Sequence, residues 1–215
     1  MNDREPYLKQ SRVIDGDHPD IVQLARSLQV AGDEVATARR CFEWVRDEIR
    51  HSRDFQANPA TCRASQVLQH RTGYCYAKSH LLVALLRACG IPAGFCYQRL
   101  SVNDHGGPYC LHGYAAIWLE PFGWYRVDPR GNKPGVEAQF DPPVERLAFP
   151  LQSREEYDFE NIFAEPLESV LSALQSSSTW QEVLDALPDV KPEQFDQLGL
   201  KIRRQGPQAT ACNLL

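Results

Sequence analysis

Residues 75–89, Cys-Tyr-Ala-Lys-Ser-His-Leu-Leu-Val-Ala-Leu-Leu-Arg-Ala-Cys, constrain the fold of this chain more than any other stretch. The spacing predicts a helix. Leu81, Leu82, Val83, Ala84, Leu85 and Leu86 make it apolar on nearly every side, so it exists in water only if other elements surround it. Gly90 ends the helix and Pro92 prevents its continuation. Arg87 interrupts the apolar run long before the roughly 20 residues that a membrane span requires. The helix must therefore be wrapped by the rest of the chain. Composition allows this: 43% of the 215 residues are hydrophobic and 24% charged, a globular rather than a disordered balance.

The wrapping material is mixed. Three strand-like runs follow the helix, at residues 93–100, 111–119 and 123–128. Glu120-Pro121-Phe122-Gly123 suits a tight hairpin with Gly123 at positive φ. Upstream, residues 20–30 and 33–51 read as helices, the second capped by Asp33 and striped by Val35, Ala38, Phe42, Val45 and Ile49. Residues 54–61 read as loop around Asn58-Pro59. Residues 64–71 form a short helix, which Thr72-Gly73 interrupts. Downstream, the proline-rich residues 140–150 read as covering loop, and 166–174 and 179–187 as helices. Residues 1–17 are irregular, with at most one short edge strand. The expectation is an α+β domain over residues 1–190, its core at about 60–133, followed by a loosely held polar tail at 191–215.

Charge and cysteine usage narrow the class. Against 28 Asp and Glu stand 23 Lys and Arg, a net charge of −5. No basic block marks a nucleic-acid partner, and no stretch marks a membrane partner. The N-terminus is charged and lacks the apolar core of a secretory signal, which points to the cytoplasm. Seven cysteines, Cys41, Cys62, Cys75, Cys89, Cys96, Cys110 and Cys212, include no C-x-x-C pair. Neither a zinc ribbon nor a thioredoxin motif is present, and reduced thiols are expected. No cluster has metal-ligand spacing, so neither metal nor cofactor is called for.

Cys75 stands in the first turn of the buried helix. Free N–H groups and the positive end of the helix dipole favour its thiolate, and can hold an oxyanion formed by its attack on a carbonyl. Gly73, just before it, would let a substrate approach the backbone. A thiolate needs a base, and the base an orienting group. His112 opens the second strand and Asp128 closes the third. With Pro121-Phe122-Gly123 as a three-residue turn, both fall on one sheet face, offset by about four residues or roughly 13 Å. A bulge, twist or different register would have to close that gap. Other residues have plainer readings. His80 projects away from Cys75 and reads as packed or capping, and Lys78 and Ser79 as packed or exposed. Asp104-His105 reads as a solvated turn that could touch substrate. Trp118, Trp124 and Tyr125 read as sheet core that could line an acyl cleft. Gln66 is a possible oxyanion donor.

Four segments in order carry a resemblance: Arg71-Thr72-Gly73-Tyr74-Cys75; Leu85-Leu86-Arg87-Ala88-Cys89-Gly90-Ile91-Pro92; His112-Gly113-Tyr114; and Gly123-Trp124-Tyr125-Arg126-Val127-Asp128-Pro129-Arg130. Over residues 60–133 the chain resembles the transglutaminase-like superfamily of papain-type folds. The resemblance implies a Cys75–His112–Asp128 triad, with the nucleophile helix against an antiparallel sheet. It also implies acyl chemistry at amide or related groups, so a protein, peptide or other amide substrate is expected; by their positions Gly73, Tyr74, Gln66, Trp124 and Arg130 are the candidates to meet substrate or oxyanion. Many relatives place Thr after Asp-Pro, where this chain has Arg130, a change that bears on recognition. Asp15-Gly16-Asp17 is too short for the calcium loops of animal members. Hydrolysis is the favoured outcome. The rivals are transfer to an amine, a non-catalytic peptide-binding scaffold, and a redox sensor pairing Cys75 with Cys96 or Cys110. Oligomeric state is left open.

Overall fold

The structure is a computed structural model and describes residues 3–103 and 106–203. The all-apolar helix is α5 (Cys75–Ala88), with every residue from Cys75 to Arg87 buried. At roughly 2 kcal/mol per large apolar side chain, burying residues 81–86 contributes on the order of 10 kcal/mol. Its one buried cation, Arg87, donates to Ala93 O at 2.9 and 3.1 Å and to the carbonyls of Lys9 and Ala164. The guanidinium thereby ties helix, sheet and both flanks together.

On one side α5 is covered by α1 (Pro19–Leu28), α2 (Glu34–Glu48) and α4 (Ala64–His70). Asp33 caps α2, its Oδ1 accepting from Ala36 N at 2.8 Å. On the other side lies an antiparallel sheet of β3 (Ala93–Ser101), β4 (Tyr109–Leu119), β5 (Gly123–Val127) and β8 (Tyr157–Asp158), in the order β5-β4-β3-β8. The fold is α+β with a papain-like core. Short elements complete it: β1 (Arg50–His51), α3 (Ser52–Phe55), β2 (Thr72–Gly73), β6 (Gln139–Asp141), β7 (Val144–Arg146), α6 (Glu168–Gln175) and α7 (Trp180–Asp185).

Several expectations are corrected. The second helix stops at Glu48 rather than continuing to residue 51, because residues 50–51 pair in parallel with Thr72–Gly73. Part of the 54–61 loop belongs to α3, and residues 139–146 form the β6–β7 hairpin rather than loop. Residues 5–8 form a 3₁₀ turn, not an edge strand, held by Tyr7 OH donating to Ile162 O at 2.9 Å. Residues 191–203 are not a loose tail. Phe195 is buried edge-on between Tyr157 and Phe159, each ring 5.1 Å away, and Leu200 is buried too. One apolar core runs from Val13 to Leu200. No helix among the described residues is long and apolar enough to cross a membrane.

Candidate active site

The β1–β2 ladder delivers the thiol. Arg50 pairs with Thr72 and His51 with Gly73, so the chain enters α5 from a fixed strand, with Tyr74 as N-cap and Cys75 as first helical residue. The Ser52 and Thr72 hydroxyls lie 3.0 Å apart, and Thr61 Oγ1 donates to Thr72 O at 2.9 Å, pinning that entry. Helical bonding begins with Lys78 N–H donating to Tyr74 O at 2.9 Å. The N–H groups of residues 75–77 therefore have no helical acceptor. Gly73 is closely packed: a Cβ there would meet Ala77 Cβ at 3.1 Å and Thr61 Oγ1 at 3.3 Å.

The register brings the histidine and carboxylate together. The hairpin turn is Glu120-Pro121-Phe122, one residue earlier than expected, with Phe122 N donating to Leu119 O at 2.8 Å and Gly123 at φ +74°. Leu119 then pairs with Gly123 and Ala115 with Val127. Continued by one pair, this register sets Asp128 opposite Tyr114, two residues from His112 instead of four, and keeps both on one face. Side chains bridge the remaining diagonal. His112 Nε2 and Asp128 Oδ2 are 2.7 Å apart, both residues buried. Asp128 also accepts from Arg130 N (3.0 Å, on Oδ1) and Ala148 N (3.2 Å, on Oδ2). The His112 ring is fixed between Tyr114, stacked at 6.2 Å, and Phe149, edge-on at 5.0 Å.

Cys75 and His112 line one cleft of about 560 Å³. With Nε2 taken by Asp128, Nδ1 is the nitrogen left for the sulfur. Burial alone would lower the His112 pKa, but the Asp128 carboxylate and the Cys75 sulfur raise it to about 10. Burial pushes Asp128 the other way, toward its neutral form, yet His112 and the two backbone donors hold its pKa below the usual carboxylate value. The arrangement can place a charged imidazole beside a nucleophilic sulfur.

Of the other anticipated residues, Tyr74 lines the cleft, its hydroxyl donating to Trp180 O at 2.7 Å. Arg130 lines it as well, its guanidinium paired with both oxygens of Asp54 at 2.6 and 3.0 Å. Gln66 and Trp124 do not line it. Gln66 Oε1 caps α4, accepting from Arg63 N at 3.1 Å and Cys62 N at 3.3 Å. Trp124 shares the sheet face of His112 but stands opposite Trp118, six residues along β4 from His112, edge-on to Tyr7 at 4.7 Å and to Trp118 at 5.8 Å, and Tyr125 is buried against Phe140. His80 is buried against Phe95, with Nδ1 2.7 Å from Cys62 O. Lys78 is fully buried and donates to Arg46 O at 3.1 Å and to Ile49 O, closing the end of α2; burial lowers its pKa to about 7. Ser79 Oγ donates to Cys75 O at 2.9 Å. Cys110 lines the cleft, whereas Cys96 is buried with Tyr114 and Ala116; the six described cysteines are free. Asp104 and His105 lie outside the described residues.

Sequence reasoning missed His51, Asp54 and Phe149, all in the cleft wall. His51 and Asp54 were hidden because the apolar stripe of α2 runs on through Ile49, and Phe149 because it stands in irregular chain. Among the described residues, no group of three or more His, Cys, Asp or Glu side chains is placed to hold a metal ion.

A thiol opening a buried helix, beside a histidine strand on a papain-like α+β core, defines a class built for cysteine-dependent acyl transfer. The chain belongs to the transglutaminase-like superfamily, whose sequence profile matches residues 22–129, just over half of its length. It is similar in fold to three solved structures. A proposed cysteine protease from Cytophaga hutchinsonii is 19% identical (TM-score 0.48; 60% of this chain, 43% of that one). The periplasmic domain of TgpA from Pseudomonas aeruginosa is 24% identical (TM-score 0.43; 59% and 46%). Red sea bream transglutaminase is 12% identical (TM-score 0.42; 54% and 27%). The chain thus spans less than half the length of each. No curated protein matches it.

Proposed function

We propose that this protein is a cysteine-nucleophile enzyme that hydrolyses peptide or side-chain amides through a Cys75–His112–Asp128 triad. The observation that carries the reading is the 2.7 Å His112–Asp128 bond in the cleft that Cys75 opens into. The Cys75 thiolate attacks the amide carbonyl, and the free N–H groups at the start of α5 receive the oxyanion. His112 gives its proton to the leaving amine while Asp128 holds the imidazole in place. Water then resolves the thioacyl-enzyme. Protein or peptide substrates follow from the superfamily. The free thiols suit a reducing compartment, and the cytoplasm is the proposed location.

The test is a panel of acyl-amide substrates, scored for released ammonia or amine and for incorporated amine, with wild type beside Cys75→Ala. Hydrolysis that disappears in Cys75→Ala supports the reading. Undiminished activity in Cys75→Ala sinks it, and dominant amine incorporation replaces hydrolysis with transfer.

A further inference from the structure

That mechanism leaves a second cleft histidine unused. His51 sits on β1 opposite Gly73, two residues before Cys75, and lines the same cleft as Cys75 and His112. Only 7% of it is exposed. Neither ring nitrogen has a hydrogen-bond partner among the described residues; Nδ1 is buried outright, its nearest carboxylate oxygen being Asp54 Oδ2 at 3.7 Å, beyond hydrogen-bond reach. An imidazole this buried with neither nitrogen hydrogen-bonded is rare in a folded protein and calls for a use.

The surroundings decide what kind of partner it takes. Burial favours the neutral form of Asp54, but bonds from Arg130 and Lys133 (2.8 Å) hold its pKa at about 2, so it is ionised. A carboxylate on the Nδ1 side draws the imidazole proton to Nδ1 and leaves Nε2 with a bare lone pair. Burial pushes the His51 pKa well below 6.5, and the cations of Arg130, Lys78 and His112 push the same way against Asp54. His51 is therefore neutral, and at Nε2 it accepts. It suits a ligand that donates, and not an oxyanion.

We propose that His51 is a catalytic residue of the second half-reaction, its Nε2 accepting a hydrogen bond from the acyl acceptor while His112 takes the acceptor's other proton. The inference rests on the Cys75 acyl-transfer reading. In the thioacyl-enzyme His112 is neutral, having given its proton to the leaving amine. The lone pair of the acceptor oxygen or nitrogen forms a bond to the thioester carbon, the carbonyl π pair moves to oxygen, and one acceptor proton passes to His112 Nδ1. Collapse re-forms the carbonyl and breaks the C–S bond. The pair returns to Cys75 as thiolate beside the His112 imidazolium, and acid or amide leaves. Throughout, the acceptor's second hydrogen stays bonded to His51 Nε2. Two imidazoles thus fix the acceptor and aim its lone pair. The arrangement selects acceptors with two hydrogens on the attacking atom, water or a primary amine, over those with one.

p-Nitrophenyl acetate serves as acyl donor: the p-nitrophenolate burst reads acylation, and intact mass reads decay of the acetyl-enzyme. Methoxyamine, with two N–H groups, and N,O-dimethylhydroxylamine, with one, serve as acceptors of similar basicity. Wild type should consume acetyl-enzyme faster with methoxyamine, by about tenfold or more. His51→Leu should keep the burst amplitude, deacylate about tenfold more slowly and lose that preference. His51→Gln, which retains an acceptor oxygen, should recover part of both. Equal rates with the two acceptors in wild type overturn the inference without any variant. So does a His51→Leu protein that deacylates at the wild-type rate, or one that melts normally yet loses the burst. Failure of the underlying reading looks different: no acetyl-enzyme forms in wild type, or acetylation persists in Cys75→Ala, and the role of His51 falls with it.

Discussion

Replacing Asp128 by Asn removes one charge and one acceptor from the centre of the site. Asp128 is fully buried, and its two oxygens accept from His112 Nε2 (2.7 Å), Ala148 N (3.2 Å) and Arg130 N (3.0 Å). All three partners donate, so a carboxylate satisfies them and a carboxamide, with a single oxygen, does not. With the amide oxygen toward His112 and Ala148, the NH₂ group opposes the Arg130 N–H. Flipped, it opposes the Ala148 N–H and drives the imidazole proton onto Nδ1, the nitrogen that must act as base toward Cys75. Either way a buried donor is left unmatched, at about 1–3 kcal/mol. A domain stable by roughly 5–15 kcal/mol survives that loss. Activity does not. In such triads loss of the carboxylate costs about 10⁴-fold, or ~5 kcal/mol of barrier. With the anion gone, burial dominates His112 and its pKa falls from about 10. The assay is the p-nitrophenyl acetate burst, with NMR titration of the His112 ring. A variant that acylates within tenfold of wild type, or whose His112 still titrates near 10, would refute the account.

Three further outcomes follow from the same geometry. Gln66→Ala should cost about 1 kcal/mol through the lost cap of α4 while leaving the rate of Cys75 acylation unchanged; a rate loss of tenfold or more without unfolding would restore Gln66 to the site. Phe195→Ala should cost about 3–5 kcal/mol in urea denaturation, since its ring fills the space between Tyr157 and Phe159; a loss below about 1 kcal/mol would return residues 191–203 to a loose tail. The raised pKa of His112 means that the folded state holds its proton more tightly than the unfolded chain. Its stabilising contribution is then complete below about pH 6.5 and lost as the pH rises through about 10. Lys78, lowered to about 7 by burial, works in the opposite sense. The informative quantity is therefore the stability gap between wild type and His112→Gln, which should be widest at pH 6 and narrow toward pH 10; a constant gap would contradict the assignment.

Local chemistry determined what the sequence alone could determine. An all-apolar run stopped by Gly90 and Pro92 dictates a buried helix, Asp33 caps α2, and alternation writes β3, β4 and β5, because helix periodicity, capping and strand parity are properties of neighbours in the chain. The placement of Cys75 at a helix start and the shared face of His112 and Asp128 were legible for that reason. The distance between those two was not. A turn beginning at Glu120 rather than Pro121 shifts the register by two residues, and turn energetics that fine are settled by what the sheet packs against. His51 and Asp54 were invisible for a related reason: the Arg50–Thr72 pairing that breaks α2 joins residues far apart in sequence, and a non-local hydrogen bond leaves no periodic trace. Gln66, Gly73 and Trp124 looked like site residues by proximity in sequence. Tertiary structure spends them on a helix cap, a tight strand-to-helix contact and an aromatic cluster at the hairpin end of the sheet, because each side chain bonds or packs where its backbone leaves room.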